Sequence, residues 1–167
     1  PFLRAVQSPG RRLGALPFAL TAAQSRAITD IRADLDSGRP MNRLLQGDVG
    51  SGKTVVAALA AAMVATNGSQ AAIMAPTGIL AELHHRTFSD LLAGSAGILQ
   101  PDAIRLLVGD TPDAEKDAIR QGIADGSIKI VIGTHAVIEQ PVQFQDLQLA
   151  VIDEQHRFGV LQRALIK

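Results

Sequence analysis

The sequence contains no cysteine, no tryptophan and no tyrosine, and its only aromatic residues are five phenylalanines. Without thiols there is neither a disulfide framework nor a thiolate zinc site, and the four histidines are not spaced H-x-x-x-H on one face. An excess of charge is missing as well. Sixteen basic residues balance sixteen acidic ones, for a formal net charge of +0, so composition alone neither announces nor excludes a nucleic-acid partner. No apolar run approaches the ~20 residues that span a bilayer. The longest, residues 54–66, is Ala-rich and reads as a buried helix, and no membrane partner is expected. The first residues, PFLRAVQSPGRRLG, lack the charged-then-apolar pattern of a secretion signal, so secretion is not expected.

What is present is a chain of 167 residues, 47% of them hydrophobic. A domain of that size buries roughly 70% of the surface its unfolded chain exposes, enough for a self-sufficient core. Residues 1–17 hold three prolines and two glycines with no sustained period and read as a lead-in from an upstream domain, leaving 18–167 as the folded unit. From Thr21, the residues Ala27, Ile28, Ile31 and Leu35 recur at helical spacing until Gly38 and Pro40. A short strand is expected at RLLQ (43–46), then a Gly-rich turn and a helix from Lys53 that Gly68 ends. Further strands are expected at 71–74, 104–108, 128–132 and 149–152. The intervening helices run over 79–92, carrying Ile79, Leu80, Leu83, Phe88 and Leu91, and from a Thr111 cap with Pro112 in the first turn to Gly126. Apolar strands alternating with helices predict a doubly wound, mostly parallel α/β sheet covered on both faces.

The strongest local signal is GDVGSGKT (47–54), which matches G-x-x-x-x-G-K-[ST] between an expected strand and an expected helix. Gly47, Gly50, Ser51 and Gly52 let the backbone turn its amides inward, and the helix start adds partial positive charge, so a polyphosphate is cradled mainly by backbone. Lys53 reaches the outer phosphates, and the Thr54 hydroxyl suits Mg²⁺. Such a site needs a carboxylate at the end of a neighbouring strand, and LAVID (149–153) supplies Asp153 as the metal residue. Glu154 follows directly and is the expected general base, polarising water for in-line attack on a γ-phosphate. The expected cofactors are ATP and Mg²⁺, and the adjacent carboxylates point to hydrolysis rather than phosphotransfer.

With Gln155 and His156 the pair becomes D-E-Q-H, which resembles motif II of the superfamily 2 helicases and translocases; the phosphate loop corresponds to their motif I. The strings RLLQGDVGSGKTVVAALAA, IMAPTGILAELHHRTF, IVIGTHAVIE and VIDEQHRFGV closely resemble the first RecA-like motor domain of the RecG family of bacterial ATP-dependent DNA helicases. The resemblance runs from about residue 16 to the end. It implies ATP-driven translocation on duplex or branched DNA, with remodelling of stalled forks and junctions. It further implies two partners, a second RecA-like domain and an upstream wedge domain of the same parent, in a protein expected to be monomeric. In LPFALTAAQ, it implies that Phe18 stacks on adenine and Gln24 bonds the base edge; T-A-A-Q (21–24) is equally a capping box. It assigns Thr77 and Thr134 to DNA backbone phosphates, where Thr77 is equally a helix cap, and Gln155 and His156 to coupling between nucleotide and partner domain. RFGV (157–160) would pack under the catalytic loop. Two positions depart from the family pattern: Gly78 stands where Glu is usual and Leu83 where Gln is usual. His84 and His85, adjacent on a helix and diverging by about 100°, are expected on the surface or facing a partner.

The sequence extends only a short distance past D-E-Q-H, and no second motor domain or arginine finger is recognisable in it. An arginine finger can be worth ~10³ to 10⁵ in rate, so the chain alone is expected to hydrolyse ATP poorly. The motor of a transcription-repair coupling factor is the nearest rival, but its loop resembles G-D-V-G-F-G-K-T and its motif II D-E-E-Q. Primosomal restart helicases have a loop resembling G-V-T-G-S-G-K-T. No N-K-x-D guanine-reading element marks a GTPase, and no Arg-rich lid marks a nucleoside kinase. A nucleotide-dependent binding module without turnover is the alternative from another class.

Overall fold

The computed structural model describes residues 16, 18–48, 50–95, 97–137 and 142–153. The lead-in (apart from Leu16), Glu154, Gln155, His156 and RFGV lie outside the described residues.

Helix α1 (Ala22–Asp36) begins at Thr21, whose hydroxyl accepts from the Gln24 amide while the Gln24 side chain accepts from the Thr21 amide. This reciprocal capping box satisfies two otherwise orphaned donors. Ile28 and Ile31 form its buried stripe. Helix α2 (Lys53–Thr66) is apolar nearly all round, with Val56 and every residue from Ala58 to Ala65 buried, which places it in the core rather than at the surface. It stops at Asn67, and Gly68 takes φ +88°, a left-handed turn that costs a side-chain-free residue little. Strand β1 (Gln70–Met74) follows at once and is buried throughout.

Helix α3 (Gly78–Phe88) starts from Thr77, whose hydroxyl accepts from the Leu80 amide, and opens into a wider π-helical turn over Ser89–Ser95. Strand β2 (Ile104–Leu107), helix α4 (Asp113–Asp125), strand β3 (Ile130–Gly133) and strand β4 (Leu147–Ile152) complete the order. All pairings are parallel, in the order β2-β3-β1-β4.

Side-chain alternation along the strands separates two cores. Ala71, Ile73, Ile104, Ile130 and Ile132 pack with α1, α2 and α3 on one face, whereas Ala72, Leu107 and Val131 pack with Ile119 and Ile123 of α4 on the other. The sheet is therefore covered on both sides, as the alternation of strands and helices predicts. Phe88, fully buried, is the largest side chain of the first core, and its truncation to Ala would cost about 3–5 kcal/mol.

Four sequence expectations are corrected. RLLQ (43–46) forms no strand: Leu44 is 77% exposed, and Arg43 turns to α1, donating to Asp34 at 2.8 Å. Only Leu45 of the segment packs against the core, too little apolar surface to fix a two-faced buried strand. The α4 cap is Pro112, not Thr111; the Thr111 hydroxyl instead accepts from the Val108 amide and closes the turn after β2. On α3, Ile79 and Leu83 are exposed, the buried stripe running through Ala81 and Phe88. His84 and His85 are not surface residues: both rings are half-buried, and both bond to other elements.

Candidate functional site

In a parallel sheet the groups at the carboxyl ends of the strands, and the starts of the helices that pack back against them, share one edge. Here that edge gathers the phosphate loop, Asp153, Thr77 and Thr134. Helix α2 joins β1 through a three-residue turn and packs on β1 and β4. Its N-terminus accordingly lies at the end of the sheet where β4 delivers Asp153.

The loop before α2 is shaped by glycine. Gly50 and Gly52 have φ +83° and +80°, and Gly52 is the N-cap with no side-chain cap bond to the amides of the first turn. A side chain at Gly52 would be strained and would collide with the Gln24 amide, and one at Gly47 would come within 2.5 Å of the Ser51 hydroxyl. The Ser51 amide donates to Asp48 O at 3.0 Å, and Gln24 Nε2 donates to Ser51 O at 3.2 Å. Gln24 thus ties the start of α1 to the phosphate loop while keeping its capping role. Lys53 Nζ donates to Gly47 O and, at 3.3 Å, to Asp48 O. Its partners are neutral carbonyls and no described carboxylate pairs with it, so an anionic oxygen would be a stronger acceptor than either.

Asp153 follows β4, its amide donating to Met74 O at 2.9 Å and extending the β1–β4 ladder by one rung. Its side chain is 38% exposed. His84 Nε2 lies 2.7 Å from Asp153 Oδ2, and since a carboxylate only accepts, the ring N–H is the donor. Oδ1 makes no hydrogen bond to a described residue. The Thr54 hydroxyl and Asp153 carboxylate are hard oxygen donors of the kind Mg²⁺ takes. No cluster of three metal-ligating side chains occurs among the described residues. That fits an ion held by one or two protein oxygens, with phosphate and water completing its shell.

Thr77 and Thr134, each expected at DNA backbone phosphate, line one open cleft of about 360 Å³ with Gly78, Ile79, Glu82, Val108, Gly109 and Asp110. Gly133 holds its rim in place, because a Cβ there would run into the Leu107 carbonyl and the Val137 side chain. The two ionisable residues of the lining are acidic, and no Lys or Arg is among its residues. Phe18 is 44% exposed. Glu154, Gln155 and His156 lie outside the described residues. The contact that sequence reasoning missed is His84 to Asp153, although a signal existed: Ala81, His84 and Phe88 fall at i, i+3 and i+7, one helical stripe whose two apolar members are buried.

No helix among the described residues is long and apolar enough to cross a membrane. The chain is 52% identical over 152 residues to the ATP-dependent DNA helicase RecG of Thermotoga maritima, covering 89% of this chain and 18% of that one. Identity to RecG of Escherichia coli K12 is 47% over 151 residues, covering 90% of this chain and 21% of the relative. A solved structure of RecG bound to a three-way DNA junction superposes with TM-score 0.81 at 47% identity, over 92% of this chain and 20% of that one. The chain therefore spans about a fifth of the length of these relatives, and its fold is the RecA-like α/β fold of their motor. The DEAD/DEAH box helicase family matches residues 21–167, and the chain belongs to that family.

Proposed function

We propose that this chain is the first ATP-binding motor domain of a DNA helicase that couples ATP hydrolysis to remodelling of branched DNA, as in fork and junction processing. The observation that carries the proposal is the start of α2, where glycine-shaped backbone leaves the helix amides without a side-chain cap and Lys53 meets, among the described residues, carbonyls alone. A polyphosphate suits such a start, because amides, helix dipole and ammonium all favour negative charge.

Gly47, Gly50, Ser51 and Gly52 cradle the phosphates, Lys53 draws charge from the outer ones, and Thr54 with Asp153 holds Mg²⁺. When bound, Mg²⁺ neutralises charge on the β- and γ-phosphate oxygens. Glu154 takes a proton from the attacking water as its oxygen bonds to the γ-phosphorus and the bond to the bridging oxygen breaks, giving ADP and inorganic phosphate. Phe18 stacks on adenine, and Gln24, already bonded to Ser51 O, reports base occupancy to the loop. Thr77 and Thr134 contact DNA phosphate from the cleft they share. Gln155 and His156 relay the nucleotide state to a second RecA-like domain, and an upstream wedge domain grips the junction. The protein works as a monomer in the bacterial cytoplasm on nucleoid DNA, with residues 1–17 as the link to the wedge and 18–167 as the motor.

Glu154→Gln in the full-length parent protein is the discriminating variant. A motor keeps Mg²⁺-dependent ATP binding and loses turnover; a binding module shows no turnover to lose. ATP raising the melting temperature more than GTP supports Phe18 and Gln24 as adenine readers, and equal shifts remove that role.

A further inference from the structure

The geometry points to His84 as the positioning residue for the metal carboxylate, a role that rests on Asp153 being the Mg²⁺ ligand proposed above. His84 sits on α3, on the stripe between buried Ala81 and Phe88, and its side chain is only 13% exposed. Burial on that stripe restricts the ring, and its Nε2–H meets Asp153 Oδ2 at 2.7 Å from 69 residues away in the chain. The carboxylate is also anchored from behind, since the Asp153 amide donates to Met74 O. With one oxygen held by the imidazole and the backbone held by β1, the Asp153 side chain has little rotational freedom, and Oδ1 is the oxygen left for a cation.

An Asp at a strand end that is 38% exposed would otherwise sample several rotamers. Ordering it in advance lowers the entropy lost when the ion binds, and outer-shell partners of metal ligands commonly matter by 10- to 100-fold in affinity. The same helix carries Thr77 and Glu82 into the cleft at its start. His84 is therefore the point at which the cleft helix touches the nucleotide side of the sheet.

The test is Mg²⁺ dependence of ATP binding, followed by the melting temperature of this chain with saturating ATP at increasing Mg²⁺. His84→Leu removes the donor and should raise the Mg²⁺ concentration for half-maximal stabilisation about tenfold. His84→Gln, whose amide nitrogen reaches close to the Nε2 position, should restore most of it. Asp153→Asn separates the two ideas: if it leaves the Mg²⁺ dependence unchanged, the metal assignment itself is wrong. If it abolishes the dependence while His84→Leu behaves as wild type, His84 is not a positioning residue. Should the Leu variant fail to fold, imidazole ¹⁵N spectra of the wild-type chain decide. A ring protonated at Nε2 whose signal moves in Asp153→Asn supports the role, and a neutral Nδ1–H ring indifferent to that substitution overturns it.

Discussion

The two ends of the one parallel sheet treat polar groups in opposite ways. At the amino ends of the strands, buried Gln70 donates to Ile123 O and Ile128 O, both at 2.8 Å, and accepts from the Asp146 amide. Asp146 in turn accepts from the Ser69 hydroxyl at 2.7 Å. Every member of that network is answered by protein, and the network fastens β1 to β4 and to the end of α4. At the carboxyl ends, among the described residues, the α2 start has no side-chain cap, Lys53 bonds carbonyls alone, and Asp153 has a partner for one oxygen and none for the other. A satisfied end stabilises a fold; an unsatisfied end has capacity left for a ligand.

Substitutions should therefore separate stability from function according to the end they touch. The largest effect is expected for Lys53→Ala, which should cut ATP turnover of the full-length parent protein at least ~100-fold, as for loss of one transition-state charge donor, with the melting temperature of this chain without nucleotide nearly unchanged. A comparable loss of unliganded stability would break the contrast. At the other end, Gln70→Leu strands the Ile128 carbonyl and the Asp146 amide and leaves the Ile123 carbonyl only the 3.3 Å bond from the Gly126 amide. Each buried orphan costs about 1–3 kcal/mol, so denaturant unfolding should show several kcal/mol lost, while nucleotide affinity per folded molecule persists.

Smaller effects sharpen the picture within the carboxyl end. Among the helix starts there, α2 and α3 differ: α2 has an uncapped glycine, whereas α3 uses the Thr77 hydroxyl on its own Leu80 amide. Thr77→Ala should cost about 1 kcal/mol of stability as a lost cap, measurable by urea unfolding, and weaken DNA binding as well. If only stability changes, Thr77 is a cap and nothing more. Because the described lining of the cleft carries Glu82 and Asp110 and no cation, the proposed hold on a phosphate backbone would be weak. Glu82→Gln should raise DNA affinity severalfold at low salt, with the gain fading as ionic strength rises.

The smallest effect is pH-dependent. The Asp146 carboxyl is held below its ordinary range by the Ser69 hydroxyl first and the Gln148 amide second. A depressed folded value means that this contribution to stability is present above the unfolded value near 3.9 and is lost as pH falls through the folded one. Ser69→Ala should therefore flatten the acid limb of the stability curve below about pH 4, with little change in nucleotide binding.

Much of the fold was legible because the signals were redundant. The Ala-rich α2 is bounded by Lys53 and Gly68, and the β-branched run 130–132 admits hardly any element but a buried strand. RLLQ misled because three or four residues carry no period, and a strand exists only if a neighbour pairs with it. Thr111 misled because its hydroxyl accepts from the Val108 amide, three residues back, and so serves the turn rather than the helix. At the site, motif spacing singled out the loop 47–54 and Asp153, and the family resemblance singled out Thr77 and Thr134 separately; that these two line one cleft is seen only in the structure. Motif spacing could not give the bond from His84 to Asp153, which depends on how α3 packs against the sheet.

The central claim is that the loop ahead of α2 binds a nucleotide triphosphate, and calorimetric titration of this chain with ATP and Mg²⁺ tests it most directly. Saturable one-to-one binding that Lys53→Ala weakens at least tenfold is the predicted result. Absence of binding, or binding that Lys53→Ala leaves untouched, would contradict it.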